Sequence, residues 1–204
     1  MIAIIDYGVG NLASIQNMLK KAGATGVITS SKEDILAADK LILPGVGAFD
    51  TCASKLQASG LIEVINKKVL VDKVPVLGIC VGMQLLHEQS EEGTLPGLGW
   101  IKGKIVRFKQ DELPSGYKIP HMGWTEVSQS KASRLLQDID EPRFYFVHSF
   151  HSSLSDKSDE LLNALYGYHF TAAVEHENIM GVQFHPEKSH RFGMKLFENF
   201  IKHY

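Results

Sequence analysis

The chain of 204 residues is long enough for one well-cored domain and short for two, so a single unit over 1–204 is expected. With 44% apolar and 22% charged residues it has a globular composition, which excludes a disordered chain. A formal net charge of −2 with no long run of either sign argues against nucleic acid as a partner, and no stretch of about 20 apolar residues offers a membrane span.

Residues 1–6 (MIAIID) form an apolar run that fits a strand buried on both faces. Without a basic leader the run reads as core rather than as a signal peptide. Gly8 and Gly10 break it, and Asn11 is placed to cap a helix whose apolar face is Leu12, Ile15, Met18, Leu19 and Ala22, with Gly23 as its stop. A short strand is expected near 26–29, a helix near 32–37, a second buried strand at 40–43 and a third at 75–79. A helix over 81–88 follows at once. The second half changes character: 103–108, 117–119, 124–127, 143–148, 164–168, 171–175 and 179–184 are short and rich in β-branched and aromatic residues, as antiparallel strands are. A last helix runs over 190–202, with Phe192, Leu196, Phe197, Phe200 and Ile201 on one face. The sum is an α/β fold: a mostly parallel central sheet flanked by helices, flavodoxin-like, with added antiparallel strands. Two cysteines, Cys52 and Cys80, make no disulfide framework, so reduced thiols and a cytoplasmic location are expected.

Gly78-Ile79-Cys80-Val81-Gly82 stands where a buried strand turns into a helix. The pattern is a nucleophile flanked by small residues, which a sharp strand-to-helix turn requires because its backbone is crowded. The helix N-terminus favours a thiolate at Cys80. A lone cysteine is more often a small buried hydrophobe, the fate expected of Cys52, but the flanking glycines make Cys80 a candidate nucleophile. Such a nucleophile needs a base. In Gly181-Val-Gln-Phe-His-Pro-Glu187, His185 and Glu187 point to one side of an extended chain, so Glu187 can orient the imidazole. The same spacing also suits a solvated His-Pro-Glu turn. Pro44-Gly45-Val46-Gly47 ends another buried strand; its glycines allow peptide N–H groups to face an oxyanion together with the N–H of Val81, although alone it is an ordinary glycine turn.

Gly8-Val-Gly10-Asn-Leu-Ala13 matches a dinucleotide fingerprint, but Ser30 and Ser31 stand where its ribose-binding acid belongs. No cofactor is therefore expected. His148 and His151 lack a third ligand at convincing spacing, so no metal is expected either.

Taken together, Gly78-Ile-Cys-Val-Gly-Met-Gln84, Pro44-Gly-Val-Gly47 and Val182-Gln-Phe-His-Pro-Glu187 resemble the class I (triad) glutamine amidotransferases. Within them, Asp6-Tyr-Gly-Val-Gly-Asn11, Lys118-Ile-Pro-His-Met-Gly-Trp124, Tyr145-Phe-Val-His-Ser149 and His185-Pro-Glu-Lys-Ser189 are similar to the glutaminase subunits of imidazole glycerol phosphate synthase. The resemblance spans essentially the whole chain. It implies a Cys80, His185, Glu187 triad, oxyanion N–H groups at Val46 and Val81, and glutamine held by Gly45, Gly47, Gln84, His148 and Ser149. It implies a heterodimer with a (β/α)₈-barrel cyclase subunit, faced by Asn11, Trp124 and Lys188. That cyclase uses the ammonia to convert PRFAR to imidazole glycerol phosphate and AICAR in histidine biosynthesis. Low activity without the partner, gated by a flip of the Gly45–Gly47 strand, is also implied. The family commonly has Asn where Thr125 stands and Tyr-Tyr where Phe150-His151 stand. Those departures leave open a paralogue that feeds a different barrel synthase, such as one amidating a surface sugar. A cysteine hydrolase of the same architecture and a non-catalytic regulatory subunit are the other readings.

Overall fold

The computed structural model describes all 204 residues. The chain starts with β1 (Ile2–Ile5), α1 (Leu12–Lys21), β2 (Gly26–Thr29), α2 (Lys32–Ala37) and β3 (Lys40–Gly45). Then come α3 (Phe49–Ala58), α4 (Ile62–Asn66) running into a π-helical turn, β4 (Val76–Cys80) and α5 (Val81–Leu85). The rest is mainly strand: β5 (Gln89–Ser90), β6 (Gly103–Arg107), β7 (His121–Gln129), β8 (Arg143–His148), β9 (Phe150–Leu154), β10 (Glu160–Tyr166), β11 (Tyr168–His176) and β12 (Ile179–Val182), closed by α6 (His190–His203).

The strand order is β2-β1-β3-β4-β12-β11-β10-β7-β8, with β9 branching from β11, β6 pairing β9 and β5 pairing β6. From β2 to β12 every pairing is parallel, and from β12 onward along that path the pairings are antiparallel. This is the expected mixed α/β sheet. The apolar runs of β1, β4 and β12 are buried along their whole length because helices cover both faces.

Local chemistry explains the helices. Ser31 caps α2 by accepting from the Asp34 N–H, with Glu33 and Asp34 in its first turn where the dipole favours acids. Gly23, at φ +84°, ends α1 as expected. Asn11 occupies the position before α1, but its side chain makes no cap bond. It points instead toward Glu187, at 3.4 Å.

The structure departs from the sequence-based expectations in several places. The third strand begins at Val76 and carries Cys80 as its last residue, and the helix after it stops at Leu85, three residues early. No strand forms over 117–119, while 124–127 is the middle of the longer β7. The expected strand 164–168 straddles the turn at Gly167 that joins β10 to β11. The helices α3 and α4 and the strands β5 and β9 were not anticipated.

Register aligns the ends of three strands. Gly45 lies opposite Cys80 across β3 and β4, and Val182 lies opposite Ile79 across β12 and β4. The segments leaving the carboxyl ends of these adjacent strands therefore emerge side by side, the usual location of sites in open α/β sheets.

Candidate active site

Cys80 adopts φ 55° and ψ −113°, a conformation that costs a non-glycine residue strain and persists at functional sites. Small neighbours make it possible: a methyl group added at Gly82 would overlap the Leu43 carbonyl, so only glycine lets β3 pass this close. The turn presents the thiol to a cavity of about 350 Å³ at the sheet edge, although the residue is only 5% exposed.

His185 lines the same cavity. Its Nδ1 lies 2.9 Å from Glu187 Oε1, and both side chains are almost fully shielded from water. A carboxylate accepts here, so Nδ1 carries a proton and Nε2 is the nitrogen left for the cavity. Burial alone would pull the imidazole down; hydrogen bonding to the Cys80 sulfur and to Glu187 outweighs it and raises the His185 pKa to about 10. The acid and the sulfur thus both favour the imidazolium form. The second oxygen of Glu187 has no hydrogen-bond partner.

The remaining expected residues divide. Val46, Gly47, Val81, Gln84, His148, Ser149 and Lys188 all line the cavity. Gly45 does not. It is buried behind the wall, where a Cβ would come within 2.5 Å of the Gly82 nitrogen, so it serves as a spacer between the two turns rather than as a contact surface. His148 contributes its surface but no free ring nitrogen. Its Nδ1 donates to the Phe150 carbonyl at 2.7 Å, and its Nε2 accepts from His121 Nδ1 at 2.9 Å. The chain of bonds continues outward, with Thr125 Oγ1 donating to His121 Nε2 at 2.8 Å. The Phe150 carbonyl, which can only accept, fixes the tautomers of this buried histidine pair, and Thr125, one of the departures noted in the sequence, supplies the donor at its outer end. Trp124 and Lys188 are exposed, with Trp124 stacked on His190 at 5.4 Å between ring centres.

Two residues of the site escaped sequence reasoning. Gln183 donates toward the Cys80 sulfur at 3.8 Å, and its Oε1 accepts from Gln84 Nε2 at 3.1 Å. The signal for it is the two-residue spacing to His185, since chain that continues β12 in extended form points both side chains to one side; Glu187 lies beyond, in the 3₁₀ turn Pro186–Lys188. Glu92 lines the cavity and accepts from the Phe49 N–H at 2.8 Å. It sits in an ordinary acidic turn, and only the fold brings it here. No group of three or more His, Cys, Asp or Glu side chains is arranged to hold a metal ion, and no helix is long and apolar enough to cross a membrane.

A family model, glutamine amidotransferase class-I, matches residues 3–204. The chain is 55% identical over 203 residues to imidazole glycerol phosphate synthase subunit HisH 2 of Methanococcus maripaludis, covering 99% of each chain. It is 52% identical over 203 residues to the protein of the same name from Pseudomonas aeruginosa, again covering 99% of each. Among solved structures, PurLQS from Thermotoga maritima superposes with a TM-score of 0.74 at 18% identity, covering 98% of this chain and 96% of that one, a likeness of fold.

Proposed function

Since this chain belongs to the class-I glutamine amidotransferases, we propose that it is the glutaminase subunit of an imidazole glycerol phosphate synthase, releasing ammonia from glutamine through a Cys80 thioester. The observation that carries the chemistry is the His185 imidazole, set between a buried acid and the strained Cys80 at the mouth of one cavity.

The thiolate of Cys80 attacks the side-chain carboxamide carbon of glutamine. Negative charge gathers on the carboxamide oxygen, where the N–H groups of Val46 and Val81 receive it. Val81 opens α5, so its N–H has no partner within the helix. His185 gives a proton to the departing nitrogen, and ammonia leaves a γ-glutamyl thioester. Water, deprotonated by His185, then attacks the thioester, releasing glutamate and restoring the Cys80 thiolate beside the protonated imidazole. Glu187 does not transfer a proton; it keeps the imidazole oriented and its positive charge compensated. Gln84 presents its Oε1 to an N–H of the substrate, because its Nε2 is already engaged by Gln183. Glu92 is the acid of the wall suited to the substrate's α-ammonium group, while Gly47 and Ser149 complete the contact surface.

Ammonia released into water at neutral pH is mostly protonated and no longer nucleophilic, so it has to pass directly to an acceptor site. The partner that supplies this site is a (β/α)₈-barrel cyclase subunit docked over the cavity mouth. Exposed Trp124 and Met122 on β7 and the Lys188 ammonium at the cavity rim provide apolar and charged contacts for it. Asn11, turned inward to Glu187, stands between that face and the triad.

Ammonia release from glutamine, measured with and without the barrel subunit and its nucleotide ligand, tests the reading. Release should rise on adding the partner and disappear in Cys80→Ala; undiminished release by Cys80→Ala would remove the mechanism.

A further inference from the structure

The turn that carries Val46 is gripped from beneath by two buried side chains that the proposed reaction does not use. The Tyr7 hydroxyl, just beyond β1, donates to the Pro44 carbonyl. The Cys52 thiol, in the first turns of α3, donates to the Val46 carbonyl at 3.3 Å. Tyr7 is 5% exposed and Cys52 is fully buried. Burial pushes both the phenol and the thiol upward, so each keeps its proton and acts as a donor at neutral pH.

Peptide units are rigid planes, so fixing a carbonyl fixes the whole unit, including the N–H on its other side. The Pro44 carbonyl belongs to the plane ending in the Gly45 N–H, and the Val46 carbonyl to the plane ending in the Gly47 N–H. Between them lies the Gly45–Val46 plane, whose N–H belongs to Val46. That N–H makes no backbone hydrogen bond. Only the torsions at Gly45 and Val46 orient this middle plane, and Gly45 is a residue with wide torsional freedom.

We propose that Tyr7 and Cys52 are positioning residues for the oxyanion site: they hold the two flanking peptide planes so that the Gly45–Val46 plane alone can turn, and so decide where the Val46 N–H points. This rests on the reading of Val46 as an oxyanion donor. A clamp of this kind acts on the transition state, because the oxyanion exists only there, and leaves ground-state binding of glutamine almost untouched. A merely structural pair, satisfying two buried carbonyls, would affect stability without this selectivity. The tyrosine is the stronger donor of the two, since a thiol hydrogen bond is weak.

The experiment measures partner-stimulated glutaminase activity, together with the rate at which iodoacetamide alkylates Cys80, followed on the Cys80 peptide. In Tyr7→Phe, kcat should fall about tenfold, less than the roughly 100- to 1000-fold typical of deleting an oxyanion donor, because the N–H is displaced and not removed. KM for glutamine and the alkylation rate should stay within about twofold, since His185 still activates the thiol. Cys52→Ala should lower kcat about threefold, and Cys52→Ser, which restores a donor to the Val46 carbonyl, should recover it. Should Tyr7→Phe disturb the fold, the Cys52 pair decides alone. A folded Tyr7→Phe, Cys52→Ala double variant with kcat within twofold of the parent would overturn the clamp. So would a loss of kcat matched by an equal loss of alkylation, which would mean that Cys80 itself had moved. If Cys80→Ala stays active, it is the glutaminase reading that fails; an inactive Cys80→Ala beside an unimpaired double variant sinks the clamp alone.

Discussion

The polarity of the Gln84 amide is settled before any substrate arrives. Its nitrogen donates to Gln183 Oε1, whose own nitrogen is turned to the Cys80 sulfur, and this leaves Gln84 Oε1 as a buried acceptor without a partner. Without Gln183 the Gln84 amide could rotate by half a turn and present a donor instead. Gln183→Leu keeps the volume roughly constant but strands the buried Gln84 nitrogen, an omission that typically costs about 1–3 kcal/mol. Urea unfolding should record a loss of that size. Glutamine KM should rise several-fold, because the acceptor is then present only part of the time. A variant of full stability and unchanged KM would show that the pair is incidental. Buried nitrogens at His148 and His121 are tied up in the same manner, with Thr125 at the outer end, so one wall of the cavity is organised by hydrogen bonds that never touch the substrate.

Elements converge on the site because β3, β4 and β12 are parallel neighbours, and the tightest point is the contact of the β4–α5 elbow with β3. Gly82→Ala would force a methyl into the Leu43 carbonyl, which is backbone and cannot swing away. The cost should exceed the usual overpacking penalty of about 1–3 kcal/mol, and the variant should lose most of its cooperative thermal unfolding. Gly47 offers a control. It sits at φ +93° with open space where a methyl would stand, nothing lying within 4 Å, so Gly47→Ala should cost only the backbone strain of about 1–2 kcal/mol. Equal stability losses at the two glycines would contradict this difference in crowding. These strands were legible in the sequence because each is a short run of apolar residues and glycine, buried along almost its whole length. The candidate residues Cys80, His185 and Glu187 were legible with them, since Cys80 closes β4 and the other two follow shortly after β12. β9 was not, since Phe150-His-Ser-Ser-Leu154 is a strand only by virtue of its pairing with β6 and β11. The helix α3 has its buried residues Phe49, Cys52, Ala53 and Leu56 at helical spacing, but small residues blur the contrast on which such a pattern depends. Glu92 and Tyr7 became site residues through topology, which no local pattern encodes.

At the scale of the whole molecule, the fold has shut several histidines away from water in neutral form. His87 is fully buried, with Nδ1 donating to the Met83 carbonyl at 3.2 Å and Nε2 accepting from Ser152 Oγ at 2.7 Å, and burial lowers its pKa to about 4. His121 is likewise lowered to about 4 by burial, His148 is pushed well below its usual value, and His151 is lowered too, each chiefly by desolvation. For a group depressed on folding, the unfolded chain binds the proton first. Stability is then complete above the unfolded value of about 6.5 and falls as pH drops toward 4, with a slope near 1.4 kcal/mol per pH unit for each proton taken up. His185 has the opposite sign: raised to about 10, its contribution is present below about 6.5 and is lost as pH climbs through 10. Lowered carboxylates such as Asp50, which accepts backbone N–H groups of Thr94 and Leu95, act at still lower pH and leave the interval between about 4 and 6.5 to the histidines. Urea midpoints measured from about pH 7.5 down to 4.5 should therefore decline steeply. His87→Gln, which keeps a donor and an acceptor but cannot take up a proton there, should flatten that decline by about one proton's worth. An unchanged slope in His87→Gln would mean that the buried histidines are not what makes the fold sensitive to acid.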